Sequence, residues 1–169
     1  MPVYKTQEKL DTIDAINLSY MAGIVDGEGS IFIARYKAKR LLSRLKYRYQ
    51  LKMCVVNTSK NLIVELHELF GGSTYLCHKR KITNHQLCWQ WYNHGHETVK
   101  ILKLLYPYLR LKKKQADIAF DFQKLYSLKR SPNGGYSHGP IPANKEEYYQ
   151  QTKFYQKMKR LHHIQFEYK

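Results

Sequence analysis

Hydrophobic and polar residues alternate most regularly between residues 47 and 56 of this chain. The period is two, which predicts a β-strand that is buried on one face and polar on the other. The apolar positions are Tyr49, Leu51, Met53 and Val55, and the polar ones are Arg48, Gln50 and Lys52. The outer face of this strand is therefore expected to be cationic.

Similar patterns predict the other elements. Helical spacing, caps and breakers predict helices over about 14–25, 58–70, 96–106, 113–128 and 144–163. Strands are expected at 31–37, 73–81 and 84–92, with a polar arm at 1–12 and loops at 38–46 and 131–143. The order αββαββα followed by further helices predicts an α+β fold. Its four-stranded antiparallel sheet is expected to cover the helices with one face and to keep the other polar and basic.

Size and charge narrow the function. The 169 residues are expected to form a single domain over 1–169, with a core at about 14–128 and a C-terminal loop and helix at 129–169. Lys and Arg number 29 against 13 Asp and Glu, a net charge of +16. Such an excess indicates a polyanionic partner, nucleic acid first and an anionic membrane second. A generally basic protein, such as a ribosomal protein, would also bind nucleic acid.

No apolar run approaches the length of a membrane span, and the first residues contain no signal-peptide core. An intracellular protein is expected, in the cytoplasm or in an organelle. The three cysteines, Cys54, Cys77 and Cys88, are widely spaced and form no C-x-x-C pair. They predict free thiols near strands rather than a zinc site or a disulfide framework.

The stretch from Leu18 to Ile33 carries the candidate chemistry. An apolar helix containing the small residues Ala22 and Gly23 leads into a Gly-rich acidic turn and then a strand. Another helix could approach closely at the small residues, and the turn would present Asp26 or Glu28 with bare carbonyls. Magnesium prefers such oxygen ligands. The alternative is an ordinary helix-to-strand turn with two solvated acids.

The segment M-A-G-I-V-D-G-E-G, residues 21–29, resembles the signature of the LAGLIDADG homing endonucleases. The resemblance covers about residues 14–128 and implies their αββαββα fold, with the sheet laid into the DNA major groove as a saddle. It implies that Glu28 binds a catalytic divalent metal and that Gly27 adds a backbone carbonyl. Asp is the commoner family residue at the position of Glu28. Asp26 is expected to be structural, capping or bracing the paired motif helices.

A second resemblance lies at P-Y-L-R-L-K-K-K-Q-A, residues 107–116, which is similar to a segment of single-motif family members. Lys112 matches their active-site lysine, which implies that it stabilises charge on the phosphate or orients water. Alternatively, residues 110–114 only grip phosphates, a reading that stays equally open for Lys113 and Lys114. A polar residue after the second strand often joins this network, and here the candidates are Asn57, Thr58 and Ser59.

The predicted DNA-binding residues are basic or amide side chains on the strands and their loops. They are Arg35, Lys37, Arg40, Arg44, Arg48, Gln50, Lys52, Lys79, Arg80, Lys81, His85, Gln86, Gln90, Lys113 and Lys114. Arg and Gln can read guanine and adenine edges, although phosphate contacts usually make up at least half of such hydrogen bonds. Arg48, Gln50 and Lys52 are the favoured base readers, while residues 39–46 are expected to contact the DNA backbone.

Histidines offer two further patterns, Asn93-His94-Gly95-His96 and His162-His163. Neither is accompanied by acidic or cysteine residues at ligand spacing, so neither is expected to be a metal site.

Together these features predict a sequence-specific endonuclease for double-stranded DNA, with Mg²⁺ as cofactor and Mn²⁺ able to replace it. One motif per chain implies a homodimer through the motif helices and a pseudo-palindromic target. Two copies would supply two carboxylates, and the family leaves short 3′ overhangs. An intron or intein origin is expected, and neither a membrane nor a small-molecule substrate. The rivals are a non-cleaving RNA maturase or regulator of the same fold and a basic RNA-binding module.

Overall fold

The computed structural model describes residues 3–37, 46–77, 87–125 and 145–164. Its elements, numbered in chain order, are β1 (Val3–Tyr4), α1 (Gln7–Asp11), α2 (Ala15–Glu28), β2 (Gly29–Lys37), β3 (Tyr47–Asn57), α3 (Lys60–Phe70), β4 (Gly71–Leu76), β5 (Trp89–His94), α4 (Gly95–Leu105), α5 (Lys113–Lys124) and α6 (Lys145–Ile164). From α2 to α4 the order is αββαββα, so the predicted α+β fold is confirmed. None of the helices in these ranges is long and apolar enough to cross a membrane.

The sheet has the strand order β1–β4–β5–β3–β2. β4 and β5 are antiparallel, with Ser73 opposite Tyr92 and Leu76 opposite Trp89. The short strand β1 adds a fifth member by pairing antiparallel with the start of β4. The prediction of a polar arm over residues 1–12 is therefore wrong, because this segment contains both β1 and the short helix α1.

Helix α2 begins where the sequence predicts it to begin and ends later. The side chain of Asp14 caps it by accepting a hydrogen bond from the backbone N–H of Asn17 at 2.9 Å. The expected turn at residues 26–29 does not form, because Asp26, Gly27 and Glu28 continue the helix and β2 follows at once. Both acids thus lie in the last helical turn.

Chain contacts divide the protein into two compact units. The first consists of Met1–Ser30 and Met53–Lys113. Its core contains Met21, Val25 and Leu66, which are all fully buried. The indole N–H of Trp91 donates to the backbone carbonyl of Gly71 at 2.6 Å, which fixes a large buried ring against the start of β4.

The second unit consists of Ile31–Lys52 and Lys114–Lys169. Here α6 packs against β3: the ring of Tyr49 lies 5.4 Å from the ring of Tyr155 between centroids, and the hydroxyl groups of Tyr49 and Thr152 are 3.1 Å apart. Phe122 of α5 meets Phe154 of α6 at a centroid distance of 6.3 Å. Aromatic side chains thus join the last helix to the strands of this unit.

Candidate functional site at the end of helix α2

The carboxylate of Asp26 binds the backbone of the basic segment that precedes α5. One oxygen accepts hydrogen bonds from the backbone N–H groups of Arg110 at 2.6 Å and Leu111 at 3.1 Å. The other accepts from the backbone N–H of Lys112 at 2.9 Å. Three consecutive N–H groups directed at one anion form a rigid concavity. Asp26 therefore braces residues 110–112 of its own chain.

This brace brings Lys112 to the end of α2. Its ammonium group donates a hydrogen bond to the backbone carbonyl of Asp26, so Lys112 contacts Asp26 through both its main chain and its side chain. Burial lowers the pKa of Lys112, while the negative charges of Asp26 and Glu28 act in the opposite direction. A half-buried cation therefore lies within the electrostatic influence of both acids of the motif.

Glu28 and Gly27 are both exposed at the end of this helix. The last carbonyls of a helix lack intrahelical partners and lie at the negative end of its dipole. Together with the Glu28 carboxylate, they form a set of hard oxygen donors that suits Mg²⁺. Within the described ranges, no three His, Cys, Asp or Glu side chains form a metal cluster, so the remaining ligands of such a metal would come from outside this group.

The close joint between helix and strand depends on Gly29. A Cβ atom at this position would lie 2.6 Å from the carbonyl oxygen of Val25, closer than real contacts allow. The N–H of Gly29 bonds to that same carbonyl and ends the helix. Only glycine lets β2 leave α2 immediately after Glu28.

The candidates after β3 have local structural contacts. Asn57 accepts a hydrogen bond from the backbone N–H of Ser59 at 2.8 Å, and Ser59 caps α3 through the N–H of Leu62. Thr58 is exposed. Ser59 is therefore the cap of α3, and the participation of any of the three in catalysis stays a prediction.

One face of α2 is apolar and uncovered. Ile16 is 83% exposed and Tyr20 is 51% exposed, which is unusual for large side chains on a helix this apolar. Gly23 and Gly27 continue the same face at helical spacing, and an added Cβ at either would meet nothing within 4 Å. Ala22, in contrast, is fully buried within the chain. Of the two small residues, Gly23 therefore lies on the uncovered face, whereas Ala22 packs into the core of its own chain.

The predicted DNA-binding residues differ in their surroundings. Arg35, Lys37 and Lys114 are exposed, while Lys113 is half-buried with its ammonium 5.5 Å from the ring centre of Tyr106. Gln90 is half-buried and accepts a hydrogen bond from the hydroxyl of Tyr75 at 2.6 Å. The remaining predictions fall outside the described residues: Arg40, Arg44, Lys79, Arg80, Lys81, His85 and Gln86.

The structure of β3 confirms the predicted apolar face and contradicts part of the predicted polar face. Tyr49, Leu51, Met53 and Val55 are buried as expected. Gln50, however, is only 7% exposed, so the expectation of an open polar face at this position is wrong. Arg48 and Lys52 are half-buried, and the Nε atom of Arg48 is buried with no hydrogen-bond partner among the described residues.

The sequence of residues 21–126 matches the family model for the LAGLIDADG endonucleases. The chain belongs to the LAGLIDADG endonuclease family. Among curated proteins, none matches it.

Solved structures of LAGLIDADG homing endonucleases share the fold. The homing endonuclease I-CvuI, crystallised with its target and Ca²⁺, is 19% identical, with a TM-score of 0.66 over 92% of this chain and 85% of its own. The archaeal intron-encoded I-Vdi141I, complexed with DNA, is 12% identical, with a TM-score of 0.63 over 86% and 84%. For I-LtrWI bound to target DNA the identity is 17% and the TM-score 0.61, with 86% of this chain matching 45% of that protein.

Two features of this LAGLIDADG chain were not found from its sequence. The guanidinium of Arg35 lies 4.4 Å from the ring centre of Tyr47 and 5.1 Å from that of Tyr155. The heptad spacing of Tyr148 and Tyr155 is the signal that could have indicated an aromatic contact of α6. The uncovered face of α2 was also missed, although Ile16, Tyr20 and Gly23 already have helical spacing.

His94 and His162, from the two patterns noted in the sequence, have structural positions. The ring of His162 donates to the backbone carbonyl of Ile31 at 3.1 Å, a contact that ties α6 to β2. His94 is the residue that precedes α4.

Proposed function

We propose that this protein is a sequence-specific homing endonuclease that hydrolyses both strands of a long pseudo-palindromic DNA site. The observation that carries the proposal is the double contact between Asp26 and Lys112 beside Glu28. A cation and an exposed carboxylate lie at the end of one helix. The cation can stabilise the negative charge that develops on the phosphate during hydrolysis, and the carboxylate can bind the metal. Family membership and DNA-bound structures of similar fold support this activity.

In this mechanism Glu28 and the carbonyl of Gly27 would hold Mg²⁺, or Mn²⁺ in its place. The bound metal would neutralise phosphate charge and lower the pKa of a coordinated water. Lys112 directs its ammonium toward the same phosphate and stabilises the charge that accumulates on its oxygens. Asp26 does not touch the DNA, and its role is to hold residues 110–112 so that Lys112 stays at the end of α2.

The active form is a homodimer through α2. The supporting observation is the uncovered stripe formed by Ile16, Tyr20, Gly23 and Gly27. Neither glycine is required by packing within the chain, whereas a second helix backbone could approach closely over both. This chain matches 45% of the length of I-LtrWI. Two-fold symmetry would supply two Glu28 carboxylates and favour a pseudo-palindromic target.

Binding of the DNA depends on the basic strands and on residues 110–114. With a net charge of +16, most of the affinity comes from phosphate contacts and counterion release. Arg48 and Lys52 are the favoured base readers, and Arg35 and Lys37 approach the backbone. The cleavage products have short 3′ overhangs, and the gene lies within an intron or encodes an intein.

The decisive experiment combines binding and cleavage. A library of DNA duplexes is first incubated with the wild-type protein and Mg²⁺ to find the cleaved site. Glu28→Gln, which keeps the size of the side chain and removes its charge, is then compared with wild type by gel shift in Ca²⁺ and by cleavage in Mg²⁺. We expect near-normal, salt-sensitive binding and no cleavage of either strand.

Glu68→Gln is the matched control, since Glu68 is an exposed carboxylate on α3. It should cleave like wild type. Substantial cleavage by Glu28→Gln would exclude the mechanism. A wild-type protein that binds a defined site but cuts no duplex with Mg²⁺ or Mn²⁺ would favour the non-cleaving maturase or regulator.

A further inference from the structure

Cys77 and Cys88 face each other across the hairpin formed by β4 and β5. The register pairs Tyr75 with Gln90 and Leu76 with Trp89, so the next pair along the strands is Cys77 with Cys88. The backbone N–H of Cys77 donates to the carbonyl of Cys88 at 2.9 Å, which makes them a hydrogen-bonded antiparallel pair. Such pairs have Cα atoms about 5.5 Å apart, within the range that a disulfide spans.

The two thiols also lie in a shared environment. Burial raises the pKa of the Cys77 thiol, and a hydrogen bond to the Cys88 side chain adds to this effect, as does the nearby Cys54. All three cysteines are reduced and half-buried. Because side chains alternate along a strand, Cys77 and Cys88 lie on the same face of the hairpin as Tyr75 and Gln90.

We propose that Cys77 and Cys88 form a redox-sensitive dithiol, which a small disulfide such as oxidised glutathione converts into an intramolecular cross-strand disulfide. Cys54, on β3, is not part of the bond. Opposite residues of an antiparallel pair have Cβ atoms about 4.5–5.5 Å apart, so a small approach of the two strands brings the sulfur atoms to bonding distance.

The reaction balances as two thiol–disulfide exchanges. The Cys88 thiolate attacks one sulfur of glutathione disulfide, forming a mixed disulfide and releasing one glutathione thiolate. The Cys77 thiolate then attacks the Cys88 sulfur and releases the second. The two protons lost by the cysteines go to the two glutathione molecules, which together gain two electrons. The same disulfide and the same two glutathione molecules result if Cys77 attacks first, so the balance does not depend on the order.

The position of the dithiol links it to DNA, a consequence that rests on the proposed function. Gln90, a predicted DNA contact, lies on the same hairpin face two residues from Cys88. A duplex bound there would cover both thiols. Oxidation would then proceed through the unbound protein alone, and its rate would fall in proportion to the unbound fraction.

The test uses the full-length protein with glutathione buffers. Titratable thiols should fall from three to one, and peptide mapping should find Cys77 linked to Cys88. Cys54→Ser should fall from two thiols to none. Cys77→Ser should instead trap a glutathione adduct on Cys88, and Cys88→Ser should trap one on Cys77. Duplex at about ten times its dissociation constant should slow oxidation roughly tenfold.

A stable disulfide involving Cys54, or three persistent thiols in excess glutathione disulfide, would overturn the dithiol. Normal oxidation in the presence of bound duplex would separate the dithiol from the DNA surface and leave cleavage by wild type as an independent question.

Discussion

Lys112 donates two hydrogen bonds to Asp26, one from its backbone N–H to the carboxylate at 2.9 Å and one from its ammonium to the backbone carbonyl. The main-chain bond fixes the position of the Lys112 backbone, and the side-chain bond fixes the position of its ammonium group. A single motif acid therefore positions the basic segment. The proposed roles, positioning of residues 110–112 by Asp26 and metal binding by Glu28, follow from this contact.

Asp26→Asn should destabilise the protein and slow cleavage together. An amide oxygen can accept only part of the three backbone bonds, and its NH₂ group opposes the remaining N–H groups. Each unsatisfied buried donor costs about 1–3 kcal/mol. We expect a loss of that size in the free energy of urea unfolding, with slower cleavage at saturating protein. Asp121→Asn, at an exposed ion pair with Lys124, is the control and should change stability by less than about 0.5 kcal/mol. Unchanged unfolding of Asp26→Asn would contradict the brace.

Lys112→Met should slow cleavage while target binding persists, and it should also change the pH dependence of stability. The folded-state pKa of Lys112 is below its ordinary value of 10.5 because of burial. Between these two values the unfolded chain binds a proton that the folded chain does not, so wild-type stability rises with pH through that window. Because the proposed cleavage needs the protonated ammonium group of Lys112, the cleavage rate should fall over the same pH range.

Urea unfolding of wild type and Lys112→Met across alkaline pH measures this difference directly. The stability of wild type relative to Lys112→Met should increase with pH. Lys114→Met, an exposed change in the same segment, serves as the control. A constant difference between wild type and Lys112→Met over the alkaline range would rule out a lowered pKa.

Gly23→Leu should break the dimer and spare the fold. The added side chain meets nothing within the chain, and leucine is a better helix former than glycine by close to 1 kcal/mol. Sedimentation velocity should therefore show monomers, and the circular dichroism spectrum should match that of the wild-type protein. Ala22→Leu is the contrasting variant, because overpacking a fully buried position costs about 1–3 kcal/mol of stability. A Gly23→Leu protein that sediments as the wild-type dimer would exclude α2 as the interface.

Tyr155→Leu should weaken DNA binding through Arg35. One of the two rings against the guanidinium is lost, and an exposed cation–π contact contributes about 0.5–1 kcal/mol. Arg35→Gln should reduce the slope of log affinity against log salt by about one if Arg35 contacts a phosphate. Tyr155→Phe keeps the ring and should bind like wild type. Identical salt slopes for wild type and Arg35→Gln would remove Arg35 from the interface.

Gln50→Ala should affect stability more than base preference, since Gln50 is buried. Arg48→Gln should instead relax preference at one position of each half-site, by about 1–3 kcal/mol if a bidentate base contact is lost. Cleavage profiles over all single-base substitutions of the target measure both variants. If Gln50→Ala changes the base preference while its urea unfolding is normal, the prediction is wrong and Gln50 reads a base.

The sequence predicts those parts of the fold that depend on local pattern. The caps Asp14 and Ser59 and the apolar face of β3 are local signals, and each is found in the structure. The helical state of Asp26–Glu28 is not local. Two glycines flank Glu28 and predict a turn, yet the helix continues because the Asp26 carboxylate is held by residues 84–86 positions away.

The candidate site was predicted residue by residue but not as an arrangement. Glu28 and Lys112 came from resemblance, whereas the contact of Lys112 with Asp26 depends on chain folding over that long separation. β1 could not be predicted, because two residues carry no periodicity and pair only where β4 is available. The burial of Gln50 likewise contradicts a period-two pattern that is otherwise obeyed.

The pairing of β1 with β4 has a consequence for how copies of this chain meet in solution. Val3 and Tyr4 occupy the backbone groups of Gly71 and Gly72 that would otherwise be free to recruit a strand from a neighbour. Meanwhile the apolar stripe of α2 remains open. Strand pairing with another copy is thus opposed at Gly71 and Gly72, and the open stripe of α2 favours helix-to-helix contact instead. Deletion of the first few residues would remove β1 and this preference. Aggregation of the shortened protein would then result from the loss of β1 and not from a poorly packed core.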